Sequence, residues 1–157
     1  MAIYLPFADL EKSADILDNR TLRVQLDNIY ELIFPKKEVK LTLTAASWIN
    51  YHGALSLYGM VSAYILMRRL NGWPPCDEIR ILFDLLSEKS SQEPDELPWW
   101  FGLAPLHHYH QSLLIQKDPQ FYLDRFDPRG ENNYPTDYSL HPLSYDLGRL
   151  IFVRELL

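Results

Sequence analysis

Apolar residues recur along this chain mostly at helical spacing. In ILDNRTLRVQLDNIYELI, Leu22, Leu26, Ile29 and Ile33 fall within one narrow arc of a 3.6-residue period and form a core face. Asp9 is placed to cap a short first helix ending at Ile16. The second runs from about Asn19 to Phe34 and stops before Pro35. Residues 35–43 read as a link, after which Thr44 can cap one long helix, AASWINYHGALSLYGMVSAYILMRRL, ended by Asn71-Gly72. Trp48, Leu55, Tyr58, Ser62 and Ile65 lie on or near one side of it, which makes it the central core helix. Pro74-Pro75 opens a further helix from about Asp77 to Glu88, and SEKSSQEPDEL reads as a solvent loop. Further helices are expected over about Pro105 to Gln116 and in PQFYLDRF, and residues 3–5 form a short extended piece.

The expected fold is therefore mainly α: a single compact domain of about five or six helices with little or no sheet. The helical domain covers residues 1–126, and residues 127–157 form an extension that packs on it or makes an interface. DPRGENNYPTDYSLHP is rich in turn formers, whereas LSYDLGRLIFVRELL returns to an apolar pattern. No internal repeat, Gly-rich phosphate loop, Gly-x-Ser-x-Gly or zinc-ribbon spacing is present.

A chain of 157 residues suits one domain with a real core. Its net charge of −6 runs against grip on duplex DNA, which relies on Lys and Arg displacing condensed counterions. Arg68, Arg69, Lys36, Lys37 and Lys40 could form a local basic stripe, but no run stands out as a DNA footprint. The lone Cys76 excludes an intrachain disulfide and reads as a small helix-start residue. No secretory signal is visible, and no apolar run reaches membrane-spanning length, so a cytoplasmic protein without a membrane partner is expected.

Two polar groupings carry candidate chemistry. Thr21, Gln25 and Asn28 lie together on the flank of the second helix, at i, i+4 and i+7. In LHHYHQS, His107 and His110 share a helix face while His108 points elsewhere. A metal site would need further ligands, and only His52, His141 or distant carboxylates remain, so no metal or other cofactor is assigned.

Read together, IYLPFADLEKSADILDNRTL and LPWWFGLAPLHHYHQSLLIQKDPQFY resemble the bacterial branch of the pyrimidine-dimer DNA glycosylase (endonuclease V-type) family. Leu5, Pro6, Leu17, Asp18, Arg20, Leu22 and Gln25 match the family's opening blocks, and Trp48 matches its second long helix. Pro98, Trp99, Gly102, His107, His110, Ser112, Leu114, Lys117, Asp118, Pro119 and Tyr122 match its third block. The resemblance spans roughly residues 3 to 125 and is most specific in that third block.

The resemblance implies a glycosylase and abasic-site lyase in which the α-amine of a processed N-terminus, here Ala2, attacks C1′ of the damaged nucleotide and leaves an imine. An α-amine with a pKa of roughly 7.7–8.0 keeps a neutral fraction near pH 7, and a carboxylate handles protons and the charge developing on the sugar. His107 and His110 would serve as proton carriers or hydrogen-bond donors beside the polar strip. Arg20, Thr21, Gln25, Trp48, Trp99, Ser112 and Lys117 would line the pocket, with tryptophans stacking on a flipped base.

The family's glutamate falls on Asn28, and its arginines fall on Leu26, His108, Gln111 and Gln116. An asparagine can orient water or hold a base edge but cannot accept a proton. Asp27 is turned about 100° from position 28 and Glu31 about 300°, so neither simply replaces it. Two readings stay open: an enzyme with a reworked pocket acting on a damaged or modified base, or a catalytically inactive descendant that binds a nucleotide or a protein partner.

Overall fold

The computed structural model describes residues 1–36, 41–70 and 76–130, and these form seven helices with no strand among them. Helix α1 (Leu10–Ile16) starts at Asp9, whose carboxylate accepts the Lys12 N–H at 2.7 Å. Helix α2 (Asn19–Ile33) starts at Asp18 in the same way, with the Thr21 N–H at 2.9 Å. Its Leu22, Leu26, Ile29 and Ile33 are all buried, as their spacing requires. It ends at Phe34, since a residue preceding proline is pushed out of the helical region.

The expected continuous helix from Ala45 to Leu70 is broken in two. Helix α3 (Leu43–Ala46) is a single turn, Ser47–Asn50 form turns, and α4 (His52–Arg69) begins after Tyr51 leaves helical geometry at φ −127°, ψ 45°. The break has a packing cause. In one unbroken helix Trp48 and Tyr58 would stand about 15 Å apart along the axis. Here their rings stack at 6.0 Å between centroids, and Trp48 meets the Trp100 edge at 5.1 Å. All three rings are fully buried, and the Trp100 indole donates to the Ser47 carbonyl at 3.2 Å. Burying this aromatic triad outweighs one helical turn of modest propensity.

Helix α5 (Asp77–Gln92) runs on past Glu88, so Ser87–Gln92 is helical rather than loop. Polar pairs on its surface carry the extra turn: Lys89 bridges Glu93 at 2.6 Å and Gln92 meets Glu88 at 3.5 Å, both at i,i+4. Helix α6 (Ala104–Lys117) has Pro105 in its first turn, where no amide partner is lost. Asp118 ends α6 and caps α7 (Pro119–Phe126) by accepting the Phe121 N–H at 3.1 Å.

Helix α4 is the centre of the single core, packed by α1, α2 and α5. Gly59 lets α2 and α5 approach α4 closely: a Cβ there would lie 2.6 Å from Leu86 and 3.0 Å from Ile29. Among the described residues no helix is long and apolar enough to cross a membrane. Lys37 and Lys40, the Asn71-Gly72 stop, Pro74-Pro75, His141 and the extension from residue 131 onward lie outside the described residues.

Candidate functional site

Residues 1–7 enter the interior as an extended segment between α2, α4 and α6, with Ile3 and Leu5 fully buried. An extended chain surrounded by helices has no neighbouring strand to satisfy its backbone, and buried amides need partners. Side chains supply them. The Met1 carbonyl accepts Thr42 Oγ1 at 2.5 Å, and the Ala2 carbonyl accepts Asn28 Nδ2 at 2.8 Å. The Tyr4 N–H donates to Gln25 Oε1 at 2.7 Å, while the Tyr4 carbonyl accepts the Tyr58 hydroxyl at 2.6 Å. Gln111 Nε2 reaches the Pro6 carbonyl at 2.9 Å, and the Ser13 hydroxyl closes on both Phe7 backbone groups at 3.0 Å.

Leu5 is held at both ends by the two histidines. The Leu5 N–H donates to His110 Nδ1 at 2.8 Å, so the His110 proton sits on Nε2. His107 accepts the Gly102 N–H at Nε2 (3.0 Å), which leaves its Nδ1–H to donate to the Leu5 carbonyl at 2.8 Å. Both tautomers follow from the network. Burial holds both imidazoles below their ordinary pKa. His110 is pushed down to about 3 by burial and by neighbouring His107, and for His107 the bond to Leu5 only partly offsets burial. Two neutral rings committed to backbone hold a chain in place and leave little for proton traffic near neutrality.

The remaining sequence-predicted residues divide between this clamp and the surface. Thr21 Oγ1 accepts Lys117 Nζ at 2.8 Å, tying the end of α6 to the start of α2, with the same ammonium 5.7 Å from the Tyr4 ring centroid. Ser112 donates to the His108 carbonyl within its own helix at 2.6 Å. Trp48 is fully buried, with no partner for its indole nitrogen, and cannot serve as a stacking platform without opening the core. Trp99 is half-buried against that core and Arg20 is exposed. Ala2 is half-buried beside Asn28, and no carboxylate pairs with the terminal amine among the described residues.

Sequence reasoning missed Tyr58, Ser13, Gln111 and Thr42 as partners of the segment. Ser13 and Tyr58 lie on helices whose apolar spacing gives no sign of a polar duty. It also missed Tyr122 with Asp18. The Tyr122 hydroxyl donates to Asp18 Oδ2 at 2.5 Å and accepts the Asp18 N–H at 3.2 Å. Burial alone would raise the Asp18 carboxyl, but hydrogen bonds from Thr21 and Tyr122 and the Lys117 charge hold it below the ordinary value.

Beside the Leu5 clamp an open cleft of about 640 Å³ runs between Phe7–Ala8 and the first turns of α6, with His108 and Gln111 on its rim. A second, of about 470 Å³, lies at the opposite side of Asp18, where α1, α2, α4 and α7 converge. Among the described residues no three His, Cys, Asp or Glu side chains converge as metal ligands. Comparison with protein-family models, with curated proteins and with solved structures gives no match to this chain.

Proposed function

We propose that this chain is a binding protein on the scaffold its sequence resembles, without that scaffold's imine chemistry, and that its ligand is a nucleotide rather than duplex DNA. The carrying observation is the 2.8 Å bond from Asn28 Nδ2 to the Ala2 carbonyl. The position where the resemblance calls for a carboxylate instead holds down the chain that would have to deliver the nucleophile. Asn28 can neither take a proton nor stabilise positive charge on a sugar.

The other groups that such chemistry would use are similarly engaged. His107 and His110 are neutral and bound to Leu5, and Gln25 is bound to Tyr4. The surface argues against a duplex footprint. Arg23 pairs with Asp27 at 3.3 Å and Glu78 at 3.2 Å, Arg68 with Asp15 at 3.4 Å, and Arg69 with Asp15 at 3.3 Å. With a net charge of −6 and these three arginines internally paired, the chain is poorly suited to displacing counterions along a phosphate backbone.

Borohydride trapping tests the reading. The full-length protein is incubated with duplexes carrying an abasic site or a pyrimidine dimer, reduced, and read by intact mass beside an active control enzyme. No adduct is expected on either duplex. A covalent adduct at the N-terminal residue would establish imine chemistry and overturn the proposal.

A further inference from the structure

Residues 1–7 lie in this fold as a peptide lies in a groove. The bonds that hold residues 2–7 come from side chains of α1, α2, α4 and α6. The helices keep contacts of their own that bypass the segment. Helix α4 packs directly on α1, α2 and α5, and α6 packs chiefly on α7. The α6–α7 pair is tied to the rest by Lys117 on Thr21 and by the Tyr122 hydroxyl on Asp18. Trp100, just ahead of α6, adds its edge contact with Trp48 and its bond to the Ser47 carbonyl.

Asn28, Gln25, Tyr58, Gln111 and Ser13 hold the segment with amides and hydroxyls, which keep their hydrogen-bonding roles at any mild pH. Leu5 is held differently, by two imidazoles in fixed tautomers. His110 must present a bare Nδ1 to the Leu5 N–H, and His107 a bare Nε2 to the Gly102 N–H. A proton on either nitrogen sets one N–H against another. The rings are 1% and 5% exposed, and neither pairs with a carboxylate among the described residues. Charge on either is therefore compensated by neither water nor an acid.

The other titratable and charged groups around the segment do not take over this role. Tyr4 on the segment, Tyr58 on α4 and Tyr109 on α6 are held neutral by burial. Lys12 on α1 lies over the Phe7 ring, and Lys117 on α6 lies near the Tyr4 ring with Asp18 of α2 beside it, already ionised. His108 is exposed on α6 and faces the open cleft instead.

We infer that mild acid releases residues 1–7 from between α2, α4 and α6 while the helices stay folded, so that the N-terminal segment is a strap operated by protons on His107 and His110. The sign follows from linkage. In place, burial holds both rings below their ordinary value of 6.5, and on release they regain it. The closed form then binds fewer protons, so release is disfavoured above that value and grows as pH falls below it. From about pH 7.5 to 5.5, two such rings multiply the ratio of released to closed segment roughly a hundredfold.

Hydrogen exchange of the full-length protein, followed by NMR between about pH 7.5 and 5.5, tests this. Opening constants, corrected for intrinsic exchange, are compared for the Tyr4 and Leu5 amides and for amides of α4. The Leu5 and Tyr4 amides should open more readily than α4 at every pH, with a rise of roughly a hundredfold over the range. Amides of α4 should remain protected, and far-UV helicity unchanged, where Leu5 has lost its protection. His110→Asn keeps an acceptor and His107→Gln keeps both a donor and an acceptor, but neither replacement titrates. Each should cut the rise to about tenfold, whereas a merely structural role would move the level and leave the pH dependence as it was. Leu5 opening only as often as α4, a Leu5 opening constant flat with pH, or an undiminished rise in both variants would each overturn the inference.

Discussion

His110 accepts the Leu5 backbone N–H at 2.8 Å across 105 residues of sequence, and this bond fixes the depth to which the N-terminal segment enters the core. The imidazole is 1% exposed, so water cannot replace it when it is removed. His110→Ala leaves a buried donor unpaired and a cavity beside Leu114. The expected loss is about 3 kcal/mol, combining an orphaned amide with lost packing. His110→Asn carries an acceptor at a position similar to Nδ1 and should lose clearly less. Urea unfolding of both variants checks this, and equal losses would mean that the bond itself contributes little.

The same histidines set the direction of the acid response. A histidine whose pKa is lower folded than unfolded binds fewer protons in the native state. Stability is then complete above the unfolded value and lost as pH falls. For His110 the window extends from 6.5 down to about 3, and His107 acts in the same direction. Asp18, held low, adds a further loss below the ordinary carboxylate range. Each fully differing group contributes a slope of about 1.4 kcal/mol per pH unit. Unfolding measured at intervals from pH 7.5 to 4.5 should show a decline beginning near 6.5, flattened in His110→Asn. An unchanged slope in that variant would remove His110 from the account.

The starts of α1, α2 and α7 are legible because their chemistry is local. Asp9, Asp18 and Asp118 each bond an amide three residues on, a pattern visible in any short window of sequence. The break before α4 was not legible, since AASWINY keeps helical spacing and only the burial of Trp48 between Tyr58 and Trp100 disrupts it. The polar strip could be seen as polar but its partner could not. Gln25 and Asn28 bond backbone atoms 21 and 26 residues earlier, and a backbone N–H or carbonyl carries no side-chain signature. The Arg125–Phe121 pair lies at i,i+4 on α7 and was within reach of a helical-wheel reading, but its cavity depends on α1, α2 and α4 arriving from far away in sequence.

Two glycines of α4 rank differently by what stands against them. At Gly53 an added Cβ would lie 2.1 Å from the Pro94 carbonyl oxygen, a backbone atom that cannot turn aside. At Gly59 the nearest obstacle is the Leu86 side chain at 2.6 Å, which has rotamer freedom. Overpacking of this kind costs about 1–3 kcal/mol, with Gly53→Ala expected at or above the upper end and Gly59→Ala near the lower. Thermal denaturation of the two variants gives the order directly. The reverse order would mean that residues 93–94 move away from α4 more easily than Leu86 repacks.

Asn28→Glu joins the structural and functional readings in one substitution. It removes the N–H donor to the Ala2 carbonyl and aims a carboxylate at an oxygen that is itself an acceptor. Two acceptors facing each other at a half-buried position repel, and the expected destabilisation is about 1–3 kcal/mol. Catalysis would require the new carboxylate to reach the terminal amine and a sugar, while Gln25, His107 and His110 still hold residues 4 and 5 in their present register. The variant is therefore expected to melt earlier than the parent and still fail to trap on an abasic duplex. Trapping that appears with Asn28→Glu alone would mean that one side chain separates this chain from imine chemistry, and that the clamp leaves the terminal amine free to act. Trapping already present in the parent and lost in the variant would place Asn28 itself in a working site.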